Sequence, residues 1–257
     1  MRDEKKPHVD RCSVVRFGEL KSLSKRLAYG LVNRAKLTED DVILVFSSNT
    51  LLYPAFVQAT QAATICVSVS TFSYYGLKIS AQQISQLANP GYSYDELVHH
   101  IKDSRPRVLV VGKSIFDVAK KAAVECGIDD YNIYIMEEDD HGEYKSIWSL
   151  AGKEELEPRH LSPQEANQRT AFMCYSSGTT GKAKGGITFF FAHRSILPIY
   201  DIVETTHYNL TSAVMQQVAQ EPDFDGDSAR WLAILPLYHM YGAMFFIFLA
   251  RKSSATL

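Results

Sequence analysis

Short unbroken apolar runs alternate with longer amphipathic stretches along most of the chain. Leu20, Leu23, Leu27 and Leu31 recur at helical spacing after the β-rich run Ser13 to Phe17, so the chain opens on a strand-like segment followed by an amphipathic helix. Val42 to Phe46 is continuously apolar and of strand length, as expected of a strand covered on both faces. Ser47, Ser48, Asn49 and Thr50 then offer caps to a helix over Leu51 to Ala63. Ile65 to Val69 reads as the next strand. Ser93-Tyr94-Asp95-Glu96 has the form of a capping box opening a helix over Asp95 to Asp103, and Val108 to Val111 is the strand after it. A helix over Ile115 to Cys126 stops at Gly127, and Tyr131 to Met136 reads as strand. The order weakens from Glu137 to Asn167, where Glu137 to Asp140 and Glu154 to Glu157 read as solvated faces with no metal site. Thr170 to Cys174 is again strand-like, His193 to Gln220 reads as helical, Trp231 to Leu235 as strand, and a helix begins at Gly242. This alternation predicts an α/β fold, a layered and mostly parallel sheet with flanking helices, and no internal repeat.

Composition narrows the setting. The 257 residues are 46% hydrophobic and 22% charged, enough to bury a substantial core. Against 27 basic residues stand 29 acidic ones, a formal charge of −2 that gives no general attraction to nucleic acid or to an anionic membrane. Cys12, Cys66, Cys126 and Cys174 form no Cys-x-x-Cys pair, which fits reduced thiols. The start, Met1 to Pro7, lacks the apolar run of a secretory signal, so a cytoplasmic location is expected and Asn209-Leu210-Thr211 reads as an idle glycosylation sequon. Trp231 to Ala250 carries no formally charged side chain, but Pro236, His239 and Gly242 interrupt it, and a buried strand, turn and helix explains it better than a membrane span.

One stretch states a chemistry. From Ser176 to Gly186 lie four hydroxyl side chains, four glycines and two lysines, directly after the strand-like run ending at Cys174. Glycines let backbone N–H groups close on an anion, hydroxyls add donors, and a lysine brings positive charge. A flexible turn would account for the composition but not for the order of hydroxyl pair, glycine, hydroxyl pair, glycine and spaced lysines. The stretch is not a Walker A, because Ala183 follows Gly181-Lys182 and Ser176 stands where the first glycine belongs.

Ser176-Ser177-Gly178-Thr179-Thr180-Gly181-Lys182-Ala183-Lys184-Gly185 resembles the signature loop of the adenylate-forming (AMP-binding) enzymes, with Ala183 in place of the family's proline. That family includes acyl- and aryl-CoA synthetases, luciferase and peptide-synthetase adenylation domains. Leu235-Pro236-Leu237-Tyr238-His239-Met240-Tyr241-Gly242 is similar to a second motif, most nearly that of the 4-coumarate-CoA ligase-like branch. Ala88 to Tyr92 with Glu96-Leu97, and His193 to Ile196, are weaker echoes. The resemblance implies ATP, Mg2+ and coenzyme A as cofactors and a small carboxylic acid as substrate. By it, Ser176, Ser177, Gly178, Thr179, Thr180, Gly181 and Lys184 would bind ATP, with Lys184 neutralising charge on the departing pyrophosphate. His239 and Tyr241 would border the carboxylate and the acyl or aryl group. It assigns no residue to the metal and leaves no complete catalytic set in this chain.

By the same resemblance, residues 1–257 are expected to be part of the large N-terminal domain, with 1–169 the first α/β part and 170–257 the phosphate loop and acyl pocket. The family's small C-terminal domain would be absent. The expected function is that of a fragment of an acyl- or aryl-CoA ligase, with a non-catalytic product that binds nucleotide weakly or acts only in interactions as the alternative. A peroxisomal location stays open, since the family's C-terminus would lie beyond Leu257. Thr64 to Leu87 is longer than the family's link at that point, and both an inserted loop and a retained intron account for it.

Overall fold

Successive residues of a strand face opposite sides of a sheet, and the run Val42–Phe46 supplies apolar side chains to both. In the computed structural model, which describes residues 17–69, 94–175, 202–220 and 232–250, this run is β1, an inner strand of a six-stranded sheet. β1 pairs in parallel with β2 (Cys66–Val69) on one side and β3 (Val108–Val111) on the other. β4 (Ile133–Ile135) adds in parallel outside β3, and β5 (Thr170–Tyr175) in parallel outside β2. β6 (Ile202–Thr206) closes the far side antiparallel to β5, giving the order β4-β3-β1-β2-β5-β6. The fold is thus α/β with a mixed, mostly parallel sheet.

Each face of the sheet has its own core. Ile43, Val45, Val67, Val108, Val110 and Phe172 pack with α1 (Phe17–Asn33) and α2 (Tyr53–Ala62). Leu44, Phe46, Leu109, Val111, Ile133 and Ile135 pack on the other face with α3 (Tyr94–Ser104) and α4 (Phe116–Glu125). α4 stops where Gly127 takes φ +74°, a conformation open to glycine. α5 (Pro163–Gln168) begins with a reciprocal capping box between Ser162 and Glu165. α6 (His207–Gln220) starts where Thr206 and Asn209 exchange side-chain and backbone hydrogen bonds, so the sequon asparagine is committed to a helix start. A short α7 (Met240–Gly242) runs on as a π-helical stretch, Ala243–Leu249, packed against α2 and α6.

Several expectations need correction. α2 begins at Tyr53, with Leu52 at the N-cap and no side-chain cap, so none of the four residues from Ser47 to Thr50 caps it. The segment read as helical up to Gln220 contains a strand, because β-branched Ile202, Val203, Thr205 and Thr206 find an edge partner in β5. Residues 232–235 are not in the sheet, although their apolar character reads as a strand; Trp231 lies outside the described residues. β4 is shorter than Tyr131 to Met136 because Asp130–Asn132 forms a 3-10 turn before it. The acidic runs do lie at the surface, as expected, and there they also bond to neighbouring elements. Glu137 accepts the Lys113 N–H at 2.9 and 3.1 Å, while Glu155 and Glu157 bond Ser22 and Lys25 of α1 and Glu154 bonds Arg34 just past its end.

Cys66, Cys126 and Cys174 are free, and Cys12 lies outside the described residues. Burial pushes the thiols of Cys66 and Cys174 up to about 12, which keeps both protonated at neutral pH and poorly nucleophilic. No described helix is long and apolar enough to cross a membrane. The residues 70–87, 88–92 and 193–196 singled out in the sequence lie outside the described residues, as does Ser93.

Candidate functional site

Ligands of open α/β sheets gather beyond the carboxyl ends of the strands, and both sequence motifs lead there. Val45, Val69 and Cys174 lie level across β1, β2 and β5. β5 then ends at Tyr175, so the loop beginning at Ser176 departs from this edge. The residues Ser176, Ser177, Gly178, Thr179, Thr180, Gly181 and Lys184 themselves lie outside the described residues.

The second motif reaches the same edge through one side chain. Asn49, three residues past the end of β1, donates from Nδ2 to the Leu235 carbonyl at 2.9 Å. Its Oδ1 accepts the Leu237 N–H at 2.8 Å. The planar amide thus takes both hydrogen bonds that a neighbouring strand would have supplied. Leu237 is buried in the first core and Tyr238 packs against it. Beyond them the chain turns tightly: His239 N–H donates to the Pro236 carbonyl at 3.1 Å, and Ala243 N–H to the His239 carbonyl at 2.9 Å. Gly242 permits this closure, since a Cβ there would collide with the Pro236 carbonyl oxygen. β1 and β5 are two strand widths apart, about 10 Å, so the end of β1, from which Asn49 reaches the turn, and the end of β5 at Tyr175 flank β2 on the same edge of the sheet.

His239 is the N-cap of α7, and its Nδ1 accepts the Tyr241 N–H at 3.2 Å. A nitrogen that accepts carries no proton, so the neutral ring bears its proton on Nε2. The protein around the ring also holds its ionisation below the ordinary histidine range by desolvation. Tyr241 is exposed and lies against Phe245, ring centroids 4.5 Å apart. The two motif residues therefore sit on the surface side of one turn, with Leu237 as the anchor on its inner side.

At the start of α2 and along it are groups to which the sequence assigned no role beyond Thr50 as a helix cap. Tyr53, at the start of α2, is fully buried, and among the described residues its hydroxyl has no hydrogen-bond partner; nor has the buried Oγ1 of Thr50. Desolvation, with Cys174 and Tyr238 nearby, pushes the Tyr53 phenol far above its usual range, so it stays neutral. Gln58 and Gln61 of α2 donate to the Ile247 and Ala171 carbonyls, both at 3.3 Å. Asn49 was legible only as a helix cap, and no local signal reveals a side chain that reaches 186 residues along the chain. Among the described residues no group of three or more His, Cys, Asp or Glu side chains could hold a metal ion. A cavity of about 410 Å³ lined by Lys102, Arg105, Arg107, Cys126 and Asn132 lies at the opposite, amino ends of β3 and β4.

The sequence profile of the AMP-binding enzymes matches residues 2–257, nearly the whole length. The chain belongs to the AMP-binding enzyme family. Its relatives within that family include the 4-coumarate–CoA ligase of Vanilla planifolia, 26% identical over 230 residues that make up 88% of this chain and 34% of the relative. Peroxisomal OPC-8:0-CoA ligase 1 of Arabidopsis thaliana is 25% identical over 204 residues, covering 78% of this chain and 30% of the relative. This AMP-binding enzyme chain therefore spans about a third of the length of these curated relatives. Among solved structures, a long-chain-fatty-acid-CoA ligase from Archaeoglobus fulgidus aligns with TM-score 0.70 at 18% identity, over 99% of this chain and 42% of that one. A red-emitting luciferase from Phrixothrix hirtus aligns with TM-score 0.65 at 17% identity, over 91% and 49%. At such identities the alignments establish the shared fold.

Proposed function

We propose that this chain supplies the triphosphate grip and the acid-facing wall of an ATP-dependent acyl- or aryl-CoA ligase. In that reaction a carboxylate oxygen attacks the α-phosphorus of ATP, the bond to the β-phosphate bridging oxygen breaks, and acyl-AMP and pyrophosphate form. The thiol of coenzyme A, having given up its proton, then attacks the acyl carbon and AMP departs. The chemistry needs charge control on the phosphates rather than a protein nucleophile. Ser176, Ser177, Thr179 and Thr180, with the amides around Gly178 and Gly181, are suited to the β- and γ-phosphates, and Lys184 to charge growing on pyrophosphate. His239, neutral and with its proton on Nε2, offers a donor to the carboxylate without an ion pair that would blunt its nucleophilicity. Tyr241 borders the acyl or aryl group. Mg2+, when bound with the nucleotide, neutralises phosphate charge; no described residue is assigned to it.

The observation that carries the reading is the Asn49 clasp, which seats the His239 turn at the same strand edge from which the Ser176 loop departs. Titration calorimetry with ATP tests it. The wild-type chain is expected to bind, and Lys184→Ala to weaken binding by roughly 10- to 150-fold, the worth of a charge-assisted bond of about 1.5 to 3 kcal/mol. Lys182→Ala should cost less, because the family pattern leaves that position open. No ATP binding, or equal losses in the two variants, would overturn the assignment.

A further inference from the structure

Among the described residues, no strand pairs with the segment that carries His239. Leu232 to Leu235 lie outside every strand, and the stretch before them is not among the described residues. Three features of the described residues shape and anchor the turn besides its own backbone bonds: Leu237 in the core, the close approach of Gly242 to Pro236, and the side chain of Asn49. The first two shape the turn from within, while Asn49 alone among the three ties it to the end of β1. We propose that Asn49 is a positioning residue: its carboxamide holds Leu235–Leu237 at the carboxyl edge of β1, and thereby keeps His239 as the α7 N-cap with its Nε2–H presented outward.

The chemistry of the side chain explains why asparagine is needed. Leu235 offers an acceptor and Leu237 a donor, one on each side of Pro236. Among side chains of this length only asparagine presents a matching donor and acceptor in one plane. Aspartate would keep the bond to Leu237 N–H but set a carboxylate oxygen against the Leu235 carbonyl; alanine would keep neither. Farther along, Gln58 donates to the Ile247 carbonyl in the π-helical stretch, so the β1–α2 unit grips this segment on both sides of His239. The significance of Asn49 for acid recognition rests on the ligase reading above, whereas its hold on His239 does not.

The test is the ring-nitrogen NMR spectrum of His239 in the 257-residue chain, with the resonance assigned by its loss in His239→Gln. In the wild type a single Nε2–H tautomer is expected, because Nδ1 is occupied as an acceptor. In Asn49→Ala the cap is released and the two tautomers should average. Ser162→Ala removes the capping box of α5, remote from the turn, and provides a destabilised control in which the wild-type signature should persist. A single tautomer retained in Asn49→Ala, or lost equally in Ser162→Ala, would overturn the proposal. Should Asn49→Ala fail to fold, Asn49→Asp takes its place, with partial averaging expected and an unchanged spectrum overturning it. No nucleotide or acid enters this measurement, so a negative result here is distinguishable from a failed ATP titration.

Discussion

Acid should destabilise this protein through one buried ring. His100 of α3 is 1% exposed, and its Nε2 lies 2.7 Å from the hydroxyl of the buried Ser68 in β2. Burial, with a smaller contribution from neighbouring His99, depresses the imidazole from 6.5 to about 3. The unfolded chain takes up a proton as pH falls through 6.5, while the folded chain does so only near 3. The stability is therefore fully present above 6.5 and is lost progressively as pH falls towards 3. At about 1.4 kcal/mol per pH unit, the loss by about pH 4.5 is on the order of 3 kcal/mol, a large share of a stability that is typically about 5–15 kcal/mol. Urea unfolding at about pH 7.5 and 4.5, for the wild type and His100→Gln, isolates this contribution, since a neutral amide binds no proton in either state. Asp41, Glu165, His207 and His239 also have shifted ionisations, but they are common to both proteins and cancel in the difference. The wild type should lose about 2–3 kcal/mol more than the variant across this interval. Equal losses would refute the argument that His100 is held neutral by burial.

Gly242→Ala should lower stability by roughly 1–3 kcal/mol and displace the His239 turn, because the new methyl group meets the Pro236 carbonyl, which is backbone and cannot rotate away; thermal unfolding and the His239 ring spectrum check this, and an unchanged spectrum would contradict it. Tyr53→Phe should be neutral or stabilising by up to about 1 kcal/mol, since it removes a buried hydroxyl that has no partner among the described residues; a clear loss in urea unfolding would mean that the hydroxyl is bonded.

The inner strands were legible because burial on both faces leaves no polar position to interrupt Val42–Phe46 or Val108–Val111. The end of α4 was equally plain, since Gly127 takes a conformation that side chains resist. β6 was not legible, because an edge strand is defined by its partner, and Ile202–Thr206 includes Glu204 and two threonines that a helix could also carry. The apolar stretch ending at Leu235 misled for the converse reason: strand-like composition does not supply a place in a sheet. At the candidate site, the motif singled out His239 and Tyr241 as candidates, but the protonation of the ring follows only from the Tyr241 N–H at Nδ1. Asn49 was misread because the same side chain can cap a helix three residues on or clasp a distant backbone, and sequence does not distinguish these uses.

The grip of the β1–α2 unit on later parts of the chain also bears on how the protein is made. Gln58 leaves the ribosome 189 residues ahead of Ile247, whose carbonyl it will bond. At roughly 5–20 residues per second that separation lasts on the order of 10–40 s. Throughout it, helix α2, with Tyr53, Phe56 and Val57, has its α1 partner, already synthesised, but not the layer contributed by Leu237, Ala243 and Ile247. An aromatic surface left uncovered for so long is where a nascent-chain chaperone would dock, and where unprotected polypeptides would stick to one another during overexpression.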